Sequence, residues 1–245
     1  MLRICLAGAT GWTGQPLARA ILAADDLTLV GAVARRSAGQ RLAAVVSGVE
    51  TDLVIAPDVE TALNRAAADV LVDYTSPSVV KANVEAAVRR GIHVVVGTSG
   101  LTDQDYDDID ALARTHRVGV VAGGNFALAA MLQARFAEEA VRHMPDVEIV
   151  DYAVDTKPDA PSGMTRELAY RLSRLRSDGA PTVHSIRLPG YVIGAEVIFG
   201  RPGERLSIRY DAGESAEPYV EGTLLAIRRV SEATGLRRGL DRLTA

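Results

Sequence analysis

The sequence predicts an α/β chain, with a helix-covered parallel sheet first and a smaller α+β domain with its own sheet after it. Three observations carry that prediction. Over the first half, short β-branched runs alternate with longer amphipathic stretches, the rhythm of βαβ units. Those runs are apolar almost throughout, as strands are when helices cover both faces of a sheet. Past about Gly124 the rhythm changes, and strand-like segments follow one another through short turns.

In chain order, strands are expected at 3–7, 27–33, 70–74, 93–96 and 118–122, with helices near 13–24, 59–67, 79–89 and 103–116 between them. A long helix over 127–142 places His143 near its end, where a cation meets the helix dipole favourably. A strand at 147–154 leads into a Pro/Gly-rich stretch at 155–163 and then a helix from about 165 to 175. Strands at 183–188, 191–199 and 205–210 imply an antiparallel or mixed sheet, the last two joined by Arg201-Pro202-Gly203-Glu204. A closing helix covers roughly 219–233.

Composition narrows the function. The 245 residues are 48% hydrophobic and 24% charged, as in an ordinary soluble protein of one or two domains. Lys+Arg of 27 against Asp+Glu of 31 leaves a net charge of −4, with no basic run, so no nucleic-acid partner is expected. No apolar stretch approaches the roughly 18 to 20 residues that span a bilayer, so no membrane partner is expected either. The opening MLRICLAGATG runs straight into a glycine turn and lacks the layout of a signal peptide. Cys5 is the single cysteine, which excludes an internal disulfide and suits a cytoplasmic location. His93, His116, His143 and His184 stand far apart without metal-ligand spacing, so no metal is expected. Only Lys81 and Lys157 are lysines, which makes each more informative than usual.

Gly8-Ala9-Thr10-Gly11-Trp12-Thr13-Gly14 lies where the first strand hands over to the first helix. Glycines there permit a tight turn and let backbone N–H groups approach a pyrophosphate at the helix N-terminus, the arrangement of a Rossmann-type domain. The spacing is G-x-x-G-x-x-G, and its context of strand before and helix after supports a dinucleotide reading over a bare turn. NAD-dependent proteins place an acid at the end of the second strand to hold the ribose hydroxyls. Here that position reads Ala34-Arg35-Arg36. Two guanidinium groups suit a 2′-phosphate, which favours NADPH, with NADH still possible; a solvated strand end is the alternative for the arginines.

Asp155-Thr156-Lys157-Pro158-Asp159-Ala160-Pro161-Ser162-Gly163 follows a strand and precedes a helix. Its prolines stiffen it, Ser162 and Gly163 offer N–H groups at a helix N-terminus, and Lys157 adds a point charge. Together these read as a carboxylate trap.

Lys157-x-Asp159-Ala160-Pro161-Ser162-Gly163 resembles the signature of the dihydrodipicolinate reductase family. Other resemblances fall in the family's order: the turn at Gly8 to Gly14, Asp73-Tyr74-Thr75, Gly97-Thr98-Ser99-Gly100, Gly124-Asn125-Phe126, His184-Ser185-Ile186-Arg187 with Gly190, and Gly235-Leu236 followed by Asp241 and Leu243. The resemblance implies a nucleotide domain at 1–124, joined by hinges to a substrate and tetramerisation domain at 125–213, with the last segment, 214–245, packing back on the first. It implies that Gly8, Ala9, Thr10, Gly11, Trp12, Thr13, Arg35, Arg36, Gly97, Thr98, Ser99, Gly124, Asn125 and Phe126 line the dinucleotide. Lys157 and Gly163 would meet the substrate, with Ser162, Met164, Ala153 and Val154 beside them.

The family carries a His-His pair upstream of that lysine, its first histidine donating the proton; those positions here are Ala153 and Val154. Neither side chain can donate. Met164 stands where the family has threonine, and Trp12 where many members have a basic residue. Reducing a C=N bond takes a hydride to carbon and a proton to nitrogen, and a positioned acid contributes about 10²- to 10⁴-fold. Lys157, Asp155 and Tyr152 are the nearest replacement donors. Lys157 is favoured, since desolvation can bring a lysine into a useful range, and a purely anchoring charge is the equal alternative. His184 on a strand is expected to be structural. The first expectation is therefore an NADPH-dependent imine reductase with a roomier, more apolar pocket. The ordinary lysine-pathway reductase is the second, and a dinucleotide-binding protein without turnover is the third.

Overall fold

The apolar runs of the first half pair edge to edge as parallel strands. β1 (Leu2–Ala7), α1 (Gly14–Ala23), β2 (Leu27–Val33), α2 (Leu42–Val45), α3 (Val59–Arg65), β3 (Val70–Asp73), α4 (Val80–Val88), β4 (His93–Val96), α5 (Asp103–His116) and β5 (Gly119–Ala122) alternate as the periodicity predicts. The computed structural model describes residues 1–243. Ile4, Leu6, Leu71, Val94 and Val120 have no exposed surface, the burial that makes these strands apolar on both faces. α5 begins at a capping box in which Thr102 and Asp105 bond reciprocally. Lys81 bridges Asp105 and Asp108 at 2.7 Å each, so one of the two lysines cross-links α4 to α5.

The next segment is a compact unit by itself, Ala127–Pro218. It contains α6 (Leu128–Val141), β6 (Val147–Ala153), α7 (Gly163–Ser173), β7 (Thr182–Arg187), β8 (Ile193–Arg201) and β9 (Glu204–Ala212). Its sheet runs β7-β6-β8-β9, with β6 and β7 parallel and the other pairs antiparallel. Pro202-Gly203 closes the β8–β9 hairpin, with Gly203 at φ +87° as the tight turn demands. Ile149, Val197 and Phe199 face Ala137 and Val141 of α6 and Leu168 and Leu172 of α7 to form the core.

The chain then returns to the first unit, which comprises Met1–Phe126 and everything described from Tyr219 onward. α8 (Pro218–Arg229) is followed by a 3₁₀ turn, Val230–Glu232, and β10 (Gly235–Arg238). β10 is the sixth strand, in the order β10-β5-β4-β3-β1-β2. The helix expected to reach 233 therefore stops at Arg229, and a strand absent from the periodicity follows it. The units divide two residues beyond the expected 124 and five beyond the expected 213. Phe126 packs edge-on to Tyr74, and Tyr219 edge-on to Trp12, which draws both into the sheet unit. Of the segment expected to pack back, residues 244–245 lie outside the described residues. Among the described residues no helix is long and apolar enough to cross a membrane.

Candidate active site

The sheet unit gathers its functional residues at the C-terminal ends of β1 to β5. The glycine turn is too tight for side chains at two points. A Cβ on Gly8, which sits at φ +85°, would lie 2.1 Å from the Tyr74 carbonyl oxygen, and one on Gly14 would lie 2.0 Å from that of Gly8. The N–H groups of Trp12, Thr13 and Gly14 find no acceptor among the described residues. Unfilled donors at a helix start, with the backbone laid bare by glycine, fit a pyrophosphate. Trp12 is 52% exposed and meets Tyr219 edge-on, with ring centroids 5.7 Å apart. Arg35 and Arg36 occupy an exposed 3₁₀ turn after β2 and make no ion pair among the described residues. Both guanidinium groups are thus available to an anion.

A carboxylate that motif reading left without a role holds the neighbouring loops. Asp73, at the end of β3, has no exposed surface. Its Oδ1 accepts from the Thr98 hydroxyl (2.6 Å), the Thr75 hydroxyl (2.7 Å) and the Thr75 N–H (3.1 Å), and its Oδ2 from the Asn83 amide (2.8 Å). It therefore ties the loop after β3 to the loop after β4, the loop carrying Gly97, Thr98 and Ser99. Gly97 lies against the Tyr74 ring, which a Cβ would meet at 2.2 Å. Tyr74 in turn shares a 2.7 Å hydrogen bond with Thr223 of α8, and burial pushes its phenol well above the usual range. Ala9 and Phe126 are buried, and Gly124 and Asn125 lead into Phe126 after β5. Cys5, beneath this floor, is pushed up to about 12 by burial and by the charge of Asp73, which leaves it unreactive.

The second unit builds its site on the β6–α7 loop. Lys157 and Asp159 pair at 2.6 Å with about three-quarters of each side chain covered. Burial pushes the Asp159 carboxyl up, and the hydrogen bond and charge of Lys157 outweigh it, so the group sits below the usual range. Ala160–Pro161 is a cis peptide, and α7 starts at Gly163, two residues before the expected position, because Ser162 caps it by accepting from the Thr165 N–H.

Three expectations need correction here. Ala153 has no exposed surface, so it opens no room beside Lys157 and offers nothing to a ligand. Ser162 is also fully buried, and its N–H and hydroxyl both go to Asp151, at 2.9 and 2.6 Å. Gly163 is left as the trap's open N–H. Met164 is buried on the inner face of α7, while Val154 is half-buried at the strand end. The replacement donors fare no better. Tyr152 donates to Glu196 (3.0 Å) and stacks on Tyr191, on the sheet face opposite Asp151 and Ala153, while Asp155 is exposed. His184 pairs with Glu148 (2.8 Å) on that same outer face. His93 lies at the N-terminal end of β4, where its Nδ1 accepts from the Gly119 N–H. Burial lowers its pKa.

Sequence reading also missed Asp151 and Arg187. Asp151 is fully buried and receives Ser162, Thr165 (2.8 Å) and Arg187 (2.7 Å). Burial pushes its carboxyl up, and the hydrogen bonds from Ser162, Arg187 and Thr165 together hold it below the usual range. The available signal was a charged residue on each of two strands at inward-facing positions.

The comparisons agree along the whole chain. The family model described as dihydrodipicolinate reductase, N-terminus, matches residues 2–126, and that described as dihydrodipicolinate reductase, C-terminus, matches 129–243. A 4-hydroxy-tetrahydrodipicolinate reductase of Desulfitobacterium hafniense is 35% identical, over 98% of this chain and 97% of that protein. One from Symbiobacterium thermophilum is 42% identical, over 94% and 92%. Among solved structures, the dipicolinate-bound dihydrodipicolinate reductase of Paenisporosarcina sp. TG-14 matches with a TM-score of 0.80 at 26% identity, covering 99% of both chains. An amine dehydrogenase of Mycobacterium smegmatis shares the fold, with a TM-score of 0.69 at 15% identity.

Proposed function

From the premise that this chain belongs to the dihydrodipicolinate reductase family, an NAD(P)H-dependent oxidoreductase family, we propose that it passes a hydride from NADPH to the conjugated imine of a cyclic dicarboxylate, whose 4-hydroxyl leaves as water, as a 4-hydroxy-tetrahydrodipicolinate reductase. The observation that carries this reading is the Lys157 loop, where an ammonium, a rigid Pro-containing turn and the open Gly163 N–H stand together. Full-length similarity to reductases of the lysine pathway favours that diacid over an unrelated imine.

The bound nicotinamide supplies the hydride. The turn from Gly8 to Gly14 would cradle the pyrophosphate through the free N–H groups of Trp12, Thr13 and Gly14, and Arg35 and Arg36 would meet the 2′-phosphate; the end of β2 reads Ala34-Arg35-Arg36, without the acid that holds ribose hydroxyls. Lys157, its charge supported by Asp159, anchors a substrate carboxylate with help from Gly163. With Ala153 and Val154 unable to donate, water supplies the proton that accompanies the hydride, and turnover is slower than a positioned imidazole would give. A cytoplasmic location and a homo-oligomer, a tetramer by family resemblance, belong to the same proposal.

A second reading rests on Ala153 and Val154. Without histidines, the site suits a more basic imine that arrives already protonated. Following NADPH absorbance with 4-hydroxy-tetrahydrodipicolinate beside a panel of cyclic imines separates the two. Oxidation with the diacid is expected. Turnover confined to basic imines without carboxylates would establish the second reading, and tight NADPH binding with no NADPH oxidation by any imine would leave a binding protein.

A further inference from the structure

The loops that the proposed function assigns to the dinucleotide abut one residue, Tyr74. Its carbonyl oxygen lies against Gly8 of the glycine turn, where a Cβ would come within 2.1 Å. Its ring lies against Gly97 of the loop after β4, where a Cβ would come within 2.2 Å. The same ring meets Phe126, after β5, edge-on with centroids 6.2 Å apart. Glycine at 8 and 97 is what lets the first two loops close to this distance.

The far end of the ring is fastened to α8. The Thr223 hydroxyl gives its one hydrogen to the Tyr219 carbonyl oxygen at 2.7 Å. In the 2.7 Å contact between the two hydroxyls, Tyr74 is therefore the donor and Thr223 the acceptor. Thr223 has no exposed surface. Its neighbour Gly222 packs so closely on the Phe126 carbonyl oxygen that a Cβ there would lie 1.9 Å away. α8 thus grips the loop after β5 through backbone and the end of β3 through a phenol, all within the sheet unit.

Sheet order decides which part of a dinucleotide this hub serves. From one edge the strands run β2, β1, β3, β4, β5. Arg35 and Arg36 follow β2, and the glycine turn follows β1. A dinucleotide with its 2′-phosphate and pyrophosphate on those groups has its nicotinamide half over the loops after β3, β4 and β5. We infer that Tyr74 is a positioning residue for the nicotinamide half, and that its bond to Thr223 makes α8 the brace that fixes the ring between the loops. The inference rests on the reading of these loops as the dinucleotide site.

The test uses the full chain and two probes, NADPH and 2′,5′-ADP, the fragment that carries the adenosine 2′-phosphate without nicotinamide. Calorimetric titrations of both, with melting temperatures, are taken for the parent, Tyr74→Phe, Thr223→Val and the double variant. Tyr74→Phe leaves the Thr223 hydroxyl its bond to the Tyr219 carbonyl, so no buried donor is orphaned. It is expected to weaken NADPH about fivefold with 2′,5′-ADP unchanged. Thr223→Val weakens NADPH at least as far, because it leaves the phenol without its acceptor. The double variant is no weaker than Thr223→Val, since one hydrogen bond underlies both losses.

A lowered melting temperature in Tyr74→Phe with NADPH affinity unchanged would make the hydroxyl merely structural and overturn the proposal. Equal loss of NADPH and 2′,5′-ADP would overturn it as well, because the effect would then not belong to the nicotinamide half. Should Tyr74→Phe fail to fold, Thr223→Val decides by the same pair of titrations. The parent separates the two levels. If it binds neither probe, the dinucleotide reading fails and Tyr74 has nothing to position. If it binds both and the variants match it, only the positioning role falls.

Discussion

Two buried carboxylates, one in each unit, do the same job by different means. Asp73 and Asp151 each lie at or near the end of a strand with no exposed surface, and each gathers Ser or Thr hydroxyls from the loops around it. Asp73 is met by neutral donors, Thr75, Thr98 and Asn83. Asp151 adds the guanidinium of Arg187. A neutral network holds its geometry through short contacts that end where they begin. A charged one extends further, and here it extends to the lysine loop. The Asp73 network thus stays within the loops beside it, while the Asp151 network takes in a residue of the neighbouring strand and, through it, the main chain of Asp159.

That contrast can be broken by measurement, and Asp151→Asn is expected to have the largest effect. Leaving Arg187 buried without its counter-charge costs about 3–5 kcal/mol, read from denaturant midpoints. Lys157→Ala comes next, with kcat/KM on the diacid falling about a hundredfold at unchanged NADPH affinity in steady-state assays. Asp73→Asn is milder, about 1–2 kcal/mol, because only neutral hydrogen bonds are disturbed; equal losses from the two aspartates would erase the distinction. Arg35→Ala or Arg36→Ala weakens NADPH about tenfold in a binding titration and leaves NADH unaffected, while equal loss for both nucleotides would remove their phosphate role. The smallest effect is on pH dependence. The folded Asp151 carboxyl lies below its unfolded value, so its stabilisation is complete above the ordinary carboxylate range and is lost as pH falls through the lowered folded value. Acid unfolding of the parent should show that slope, and Asp151→Asn should lack its share of it.

How much of this was legible beforehand follows from which forces are local. The βαβ rhythm and the glycine turn are written in neighbouring residues, and the bounds of 27–33, 93–96 and 103–116 are those of β2, β4 and α5. β10 was not legible, because Gly235-Leu236-Arg237-Arg238 carries two charges that only the edge of an existing sheet tolerates. The start of α7 was missed since Ser162 caps a helix whose apolar period begins later. The Asp151–Arg187 pair joins residues 36 apart, and Ala153 is enclosed by the same register. No window of sequence contains both partners. The motif identified the loop, and long-range pairing decided what supports it.

The indole on the glycine turn has a practical consequence. Trp12 is the chain's single tryptophan, so its emission reports on one place in the molecule, the turn proposed to hold the dinucleotide. Reduced nicotinamide absorbs in the band where indole fluoresces. Loading of this protein can therefore be followed by quenching, with no label attached and no substrate in the cuvette.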